Sequence, residues 1–176
     1  MNIEQLLPDS FRQTADFATA FILENPEFLS KMIAVSFSDD KLMGMRASRV
    51  VLLTYYQNPA IVKTQIPQIL DELCLTKNNS TIRNLLHLFL DNIEVLDESR
   101  FGKLIDFCFK LIESPSVEIA QRALAMQILY KASNIISDFK DELKAIIEFH
   151  YEEGSPGFKS TAKSILKKLN KEIIQK

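Results

Sequence analysis

Apolar residues in this chain recur three or four positions apart, and the recurrence itself returns every 37 to 39 residues. In the stretch Ser114–Ala132, Ser114, Pro115 and Ser116 predict a break and a helix start, because proline's fixed φ suits a first turn and serine oxygens accept orphan amides. Ile119, Ala123, Met126 and Tyr130 then fall on one helical face. A shift of 37 towards the N-terminus gives Ile82, Leu86, Phe89 and Ile93, and a second gives Met45, Arg49, Leu52 and Tyr56. A shift of 39 the other way gives Phe158, Ala162, Ile165 and Leu169. Only Arg49 breaks the apolar series. The preceding helices repeat likewise, with Ile33, Leu70, Phe107 and Ile146 in one position, and Phe37, Cys74, Leu111 and His150 in another.

One helix pair cannot bury such a stripe, whereas stacked pairs can, and periods of this size mark helical repeats. The helix–turn–helix unit, the turns Ser38-Asp39-Asp40 and Ser114-Pro115-Ser116, and the small Ala123 among large apolar residues resemble the HEAT-like (armadillo-type) repeat family over about residues 26–173. The charged inter-helix turn of that family is incomplete here, and the second unit uses Lys77-Asn78-Asn79-Ser80 instead. The resemblance implies an all-α fold: a short right-handed α-α superhelix, or solenoid, of about four HEAT-like helix pairs. The expected organisation is one repeat domain over 1–176, with an N-terminal cap at 1–24 and repeats at 25–57, 58–96, 97–135 and 136–174.

Local signals refine the elements. Asp9 or Ser10 caps a helix reaching about Leu23, and Asn25-Pro26 and Asn58-Pro59 predict an asparagine cap followed by proline in the first turn. The repeat helices are expected at about 26–37 and 40–57, 59–76 and 80–95, 98–113 and 116–134, and 138–152 and 156–174. Pro67 predicts a kink in the third of these, and Gly44 costs the second some helix propensity while leaving room for close packing.

Composition narrows the classes. An apolar fraction of 47%, four glycines and six prolines suit a soluble helical domain rather than an all-β fold with many tight turns. No apolar run reaches the roughly 20 residues a membrane span needs. The start carries Glu4 and Asp9 in place of a basic segment followed by an apolar core, so no export signal is read and the expected location is cytoplasmic. Cys74 and Cys108, 34 apart in different predicted helices, read as separately packed thiols.

The formal charge is −2, but from Ser155 onwards Lys159, Lys163, Lys167, Lys168, Lys171 and Lys176 face a lone Glu172. Four of these lysines recur every fourth residue and form a stripe beside the apolar face, which reads either as a docking surface or as the solvated face of a terminal helix. Arg46, Arg83 and Lys159 share one repeat position, interrupted by Ala120, and Arg49, His87 and Arg122 extend that set. Such stacked cations suit carboxylates or phosphates; they also suit bonds to neighbouring turns and to acids such as Asp91. Arg49 reads either as paired with an acid such as Asp16 or as facing solvent at the end of the stack.

His87 and His150 are 63 apart without zinc-ligand spacing, and no glycine-rich phosphate loop or GxSxG nucleophile motif occurs. The acid pairs Asp39-Asp40, Asp71-Glu72, Asp97-Glu98 and Glu152-Glu153 sit mostly at helix ends, where they cap. No cofactor, metal or catalytic residue is assigned. The expected function is a non-catalytic scaffold that binds a protein partner along its second-helix face, which in the HEAT-like family is the concave face. The contacts expected are Arg46, Arg83, His87, Arg122, Lys159, Lys163 and Lys167, without membrane attachment. The alternative, also drawn from the resemblance, is a nucleic-acid-binding protein related to alkylpurine DNA glycosylases. Their catalytic acid has no matching motif in this chain, which also lacks tryptophan.

Overall fold

The computed structural model describes residues 2–174, so Lys176 lies outside it, and among the described residues every regular element is helical. The chain divides into two compact units, Met1–Arg100 and Phe101–Lys176. The first holds α1 (Ile3–Leu6), α2 (Arg12–Glu24), α3 (Leu29–Ser36), α4 (Lys41–Gln57), α5 (Pro59–Lys63), α6 (Ile66–Leu73) and α7 (Asn79–Leu86). Helix α8 (Glu98–Glu113) begins there and runs into the second unit, which continues with α9 (Ile119–Ala132), α10 (Lys140–Phe149) and α11 (Pro156–Ile174).

Helix starts follow local chemistry more closely than proline position. Asn2 and Gln5 form a reciprocal capping box on α1. Asp40 accepts from the amides of Leu42 and Met43 to open α4, and Asn78 accepts from Ser80 and Thr81 to open α7. The expected caps at Asn25 and Asn58 do not form. The Asn25 amide turns back to the Phe21 carbonyl at 2.9 Å, and proline starts each helix by its φ alone. The kink expected at Pro67 is a full break. The segment divides into α5 and α6, and Pro67 takes the first turn of α6, where its missing N–H leaves no bond unmade. Helix α7 is shorter than expected and passes into 3₁₀ turns at His87–Leu90 and Ile93–Val95. Helix α9 opens at Ile119, after Val117 has bonded back to the Ser114 carbonyl.

Helix α4 is the hub of the first unit and packs against α2, α3, α5 and α7. Contact from several directions rotates its buried arc away from the expected stripe. Ala47, Val50, Val51 and Tyr55 are buried, whereas Tyr56 is 57% exposed. Helix α9, which packs against α10 and α11, is enclosed on more than the expected face: Met126 of the stripe is buried, Leu124, Ala125, Ile128 and Leu129 join it, and Ile119 is 47% exposed. In α7 and its 3₁₀ extension, and in α11, the expected stripe is the core. Ile82, Leu86, Phe89 and Ile93 are buried, as are Phe158, Ala162, Ile165 and Leu169.

A polar seam joins α4 and the end of α3 to α7 and its extension. The Asn78 amide donates to the Lys41 carbonyl at 2.9 Å, Thr81 to the Ser36 carbonyl at 3.0 Å, and Asn84 to the Ser48 hydroxyl at 3.0 Å. Buried Asn92 donates to both the Tyr55 hydroxyl and the Leu88 carbonyl at 2.7 Å. Each such bond adds roughly 1 kcal/mol net, and all but the local one to Leu88 fix the offset of one helix against another. At the seam's start, a Cβ on Gly44 would lie 2.9 Å from the Asn78 amide nitrogen and 3.0 Å from the Ser36 carbonyl oxygen. The same methyl on Gly102 in α8 would meet nothing within 4 Å.

These two glycines predict opposite signs. Gly102→Ala should stabilise the protein by about 0.5–1 kcal/mol through helix propensity. Gly44→Ala gains the same propensity but overpacks the seam, and should destabilise by about 1–2 kcal/mol. Urea unfolding of both variants, followed by helical circular dichroism, checks the pair.

Candidate functional site

The cations picked out by the repeat divide into two groups. Arg46 sits half-buried on α4 and reaches into the N-terminal segment, where its Nε donates to the Ser10 hydroxyl at 3.1 Å and its Nη1 to the Leu7 carbonyl at 2.9 Å. Arg49, one turn on, donates to the Ser10 carbonyl at 3.1 Å. The candidate partner acid, Asp16, is held instead by Arg12 at 2.7 Å, its i−4 neighbour on α2. Asp9 completes this corner by accepting from Thr14 and from the Phe11 amide, bonds that hold its carboxyl below the usual carboxylate range. The two arginines therefore tie the N-terminal segment to α4.

Arg122 is also turned inward. It is 6% exposed, donates from Nε and Nη2 to the Ile112 carbonyl at 3.1 and 2.8 Å, and lays its guanidinium over the Phe158 ring at 4.2 Å. Burial lowers its pKa from the ordinary arginine value. Its placement is that of a core brace linking α8, α9 and α11 within the second unit, not of an exposed contact.

Arg83 and His87 lie one turn apart on α7 and its extension. Arg83 is exposed and His87 half-buried. Burial first, and the Arg83 charge second, press the imidazole pKa below its ordinary value. Lys163 and Lys167 are exposed on α11, and Lys159 is half-buried with its ammonium 5.7 Å from the centre of the Tyr151 ring.

Sequence reasoning missed the relief around the inter-helix turns of the first unit. An open cleft of about 410 Å³ lies between the starts of α4 and α7, lined by Lys41, Leu42, Met45, Lys77, Asn78, Asn79 and Ser80. Lys41, Lys77 and Asn78 also line a second cleft of about 410 Å³, whose wall includes Phe37, Glu72 and Leu75. Phe37 and Glu72 carry that surface on into a cleft of about 280 Å³ between α3 and α6. Leu42 and Leu75 are 51% and 76% exposed beside these clefts. The available signal was an apolar residue directly after the first turn's polar run, at Leu42, and one directly before the second's, at Leu75.

Among the described residues, no group of three His, Cys, Asp or Glu side chains is placed to hold a metal, and no helix is long and apolar enough to cross a membrane. The family model of the HEAT repeat domain matches residues 4–169. No curated protein and no solved structure matches the chain.

Two outcomes follow from this geometry. His87 has a folded pKa below its unfolded value of 6.5, so the unfolded chain binds the proton more readily. Stability should be whole above pH 6.5 and fall as pH drops through the interval down to the folded pKa. His87→Gln should flatten that part of a stability–pH profile measured by urea unfolding, leaving the carboxylate-driven loss at lower pH. Arg122→Ala should destabilise the protein by about 2–4 kcal/mol, and Arg122→Lys should recover only part of this, because an ammonium cannot reproduce the paired donation and the stacking. Thermal or denaturant unfolding of the two variants reads the difference.

Proposed function

The chain belongs to the HEAT repeat family, and on that premise we propose that it is a non-catalytic interaction module that seats a partner polypeptide across α4 and α7. HEAT repeats commonly mediate protein interactions, which supports a scaffold-type module. The observation that carries the finer reading is the open cleft between α4 and α7. Matching positions of two consecutive second helices form its walls, with Leu42 and Asn79 separated by one repeat period. Its lining includes the apolar side chains of Leu42 and Met45 and the cations Lys41 and Lys77.

That combination suits an extended segment whose apolar side chains settle on Leu42 and Met45 while carboxylates or backbone carbonyls meet the two ammonium groups. Arg83 and His87 would extend the contact along α7. Arg46 and Arg122 support the scaffold in this reading, each engaged by backbone carbonyls. The polar seam holds the cleft walls at a fixed offset, so the surface is already formed when a partner arrives, which limits the ordering cost of binding.

A photo-crosslinking residue tests this. Placed at Leu42 or at Lys77, it should capture the same polypeptide from native lysate, and the Lys41→Glu/Lys77→Glu double variant should lose that product while keeping its helical spectrum. Placed at exposed Lys110 on α8, it should not capture that polypeptide. Equal capture at all three positions, or an unchanged product in the double variant, would remove the cleft from consideration.

A further inference from the structure

The solvent face of α11 is a continuous cationic surface. Viewed down the helix, Lys159, Lys163, Lys167, Lys171 and Lys168 sweep across the arc opposite the buried residues Phe158, Ala162, Ile165 and Leu169, with Ser160, Ser164 and Asn170 between them. No acidic residue occurs from Lys159 to Lys171, although acids outnumber bases in the chain as a whole. None of these five lysines forms an ion pair among the described residues. The two that have partners are set over aromatic rings: Lys159 over Tyr151, and Lys168 over Tyr130 at 5.1 Å.

Helix electrostatics do not account for this arrangement. Cations are favoured in the last turn of a helix and disfavoured in the first. Lys171 fits that rule, but Lys159 and Lys163 stand in the first two turns of a helix that opens at Pro156. Five like charges on one short helix also repel one another. The helix therefore carries an electrostatic cost that an anionic partner would relieve.

We propose that this face docks a short acidic segment of a partner protein, one with Asp or Glu at about every fourth residue. The inference does not depend on the cleft in the first unit. Lysines four apart advance by about 6 Å along the axis, the same step as carboxylates four apart on a facing helix, and the run from Lys159 to Lys171 spans about 18 Å. A lipid surface fits poorly, because a membrane-docking helix needs a free apolar side and that of α11 is consumed by packing. Nucleic acid fits less well than a short acidic segment. The arc offers lysine point charges without arginine forks or free aromatic faces for stacking. Glu148, Glu152 and Glu153, exposed in the chain just before α11, would repel a polyanion that extends beyond the stripe.

The test uses the full chain and a fluorescein-labelled helical peptide with glutamate at every fourth position, read by anisotropy. A same-length 5′-labelled DNA duplex, anionic phosphatidylserine vesicles and the peptide's glutamine analogue serve as competing probes. The glutamate peptide should bind, weaken tenfold or more between low and physiological salt, and lose at least tenfold in Lys163→Glu/Lys167→Glu. Lys41→Glu/Lys77→Glu should bind it as the wild type does, which separates this site from the cleft. Because positions 163 and 167 are exposed, the variant should keep the wild-type circular dichroism spectrum. No binding, binding unchanged in Lys163→Glu/Lys167→Glu, equal binding of the glutamine analogue, or tighter and equally lysine-dependent binding of the duplex or vesicles would each overturn the proposal.

Discussion

The close approach of α4 and α7 at Gly44 is the constraint on which the first unit depends. Gly44 puts no side chain of its own into the gap, so the Asn78 amide and the Thr81 hydroxyl can reach carbonyls of the preceding helix pair. Hydrogen bonds have narrow geometry and apolar contacts do not. A helix pair held only by Leu, Ile and Val could slide by a turn at little cost. Four side chains, Asn78, Thr81, Asn84 and Asn92, each tied to a particular acceptor on α3 or α4, leave one offset. The cleft between the two helix starts inherits its shape from that offset.

The same economy explains the divided fate of the cations. A buried carbonyl at a helix end needs a donor, and an arginine on a neighbouring helix can supply two. Arg122 does so for Ile112, and Arg46 supplies one donor to the buried Leu7 carbonyl at the end of α1, while Arg49 holds the exposed Ser10 carbonyl in the loop that follows. Arg100 performs a related task through Asp71 and Asp97, at 2.8 and 2.7 Å, pinning the start of α8 to α6. Long side chains with forked donors suit the joints of a helical repeat. The lysines of α11 have no such joint to serve and remain as charge at the surface.

The two proposed surfaces differ in kind. The lining of the first unit's cleft combines apolar residues with cations, a mixture in which shape and burial would select the partner. The α11 face is charge without a groove, so it would act through salt-sensitive attraction and fast encounter more than through lasting contact. A module carrying both could hold one segment and steer another, each on its own compact unit.

Much of the architecture is legible in the sequence, because helical periodicity and repeat length are one-dimensional signals. The 37-residue shift finds the helix pairs, and Asp40, Gly44 and the breaks around Pro67 and Pro115 announce themselves by type. The charge of α11 is equally visible, since five lysines with no acid between them need no fold to be counted. What tertiary structure alone decided was which face of each helix is inside. A helix packed on several sides, as α4 is, rotates its buried arc to suit its neighbours, so Tyr56 emerges and Ser48 goes under. The repeat could place Arg46, Arg83 and Arg122 near equivalent positions, but it could not say that two would find backbone carbonyls and one would stay at the surface. A hydrogen bond depends on an acceptor brought up by another part of the chain, and nothing in a residue's own neighbourhood along the sequence records it.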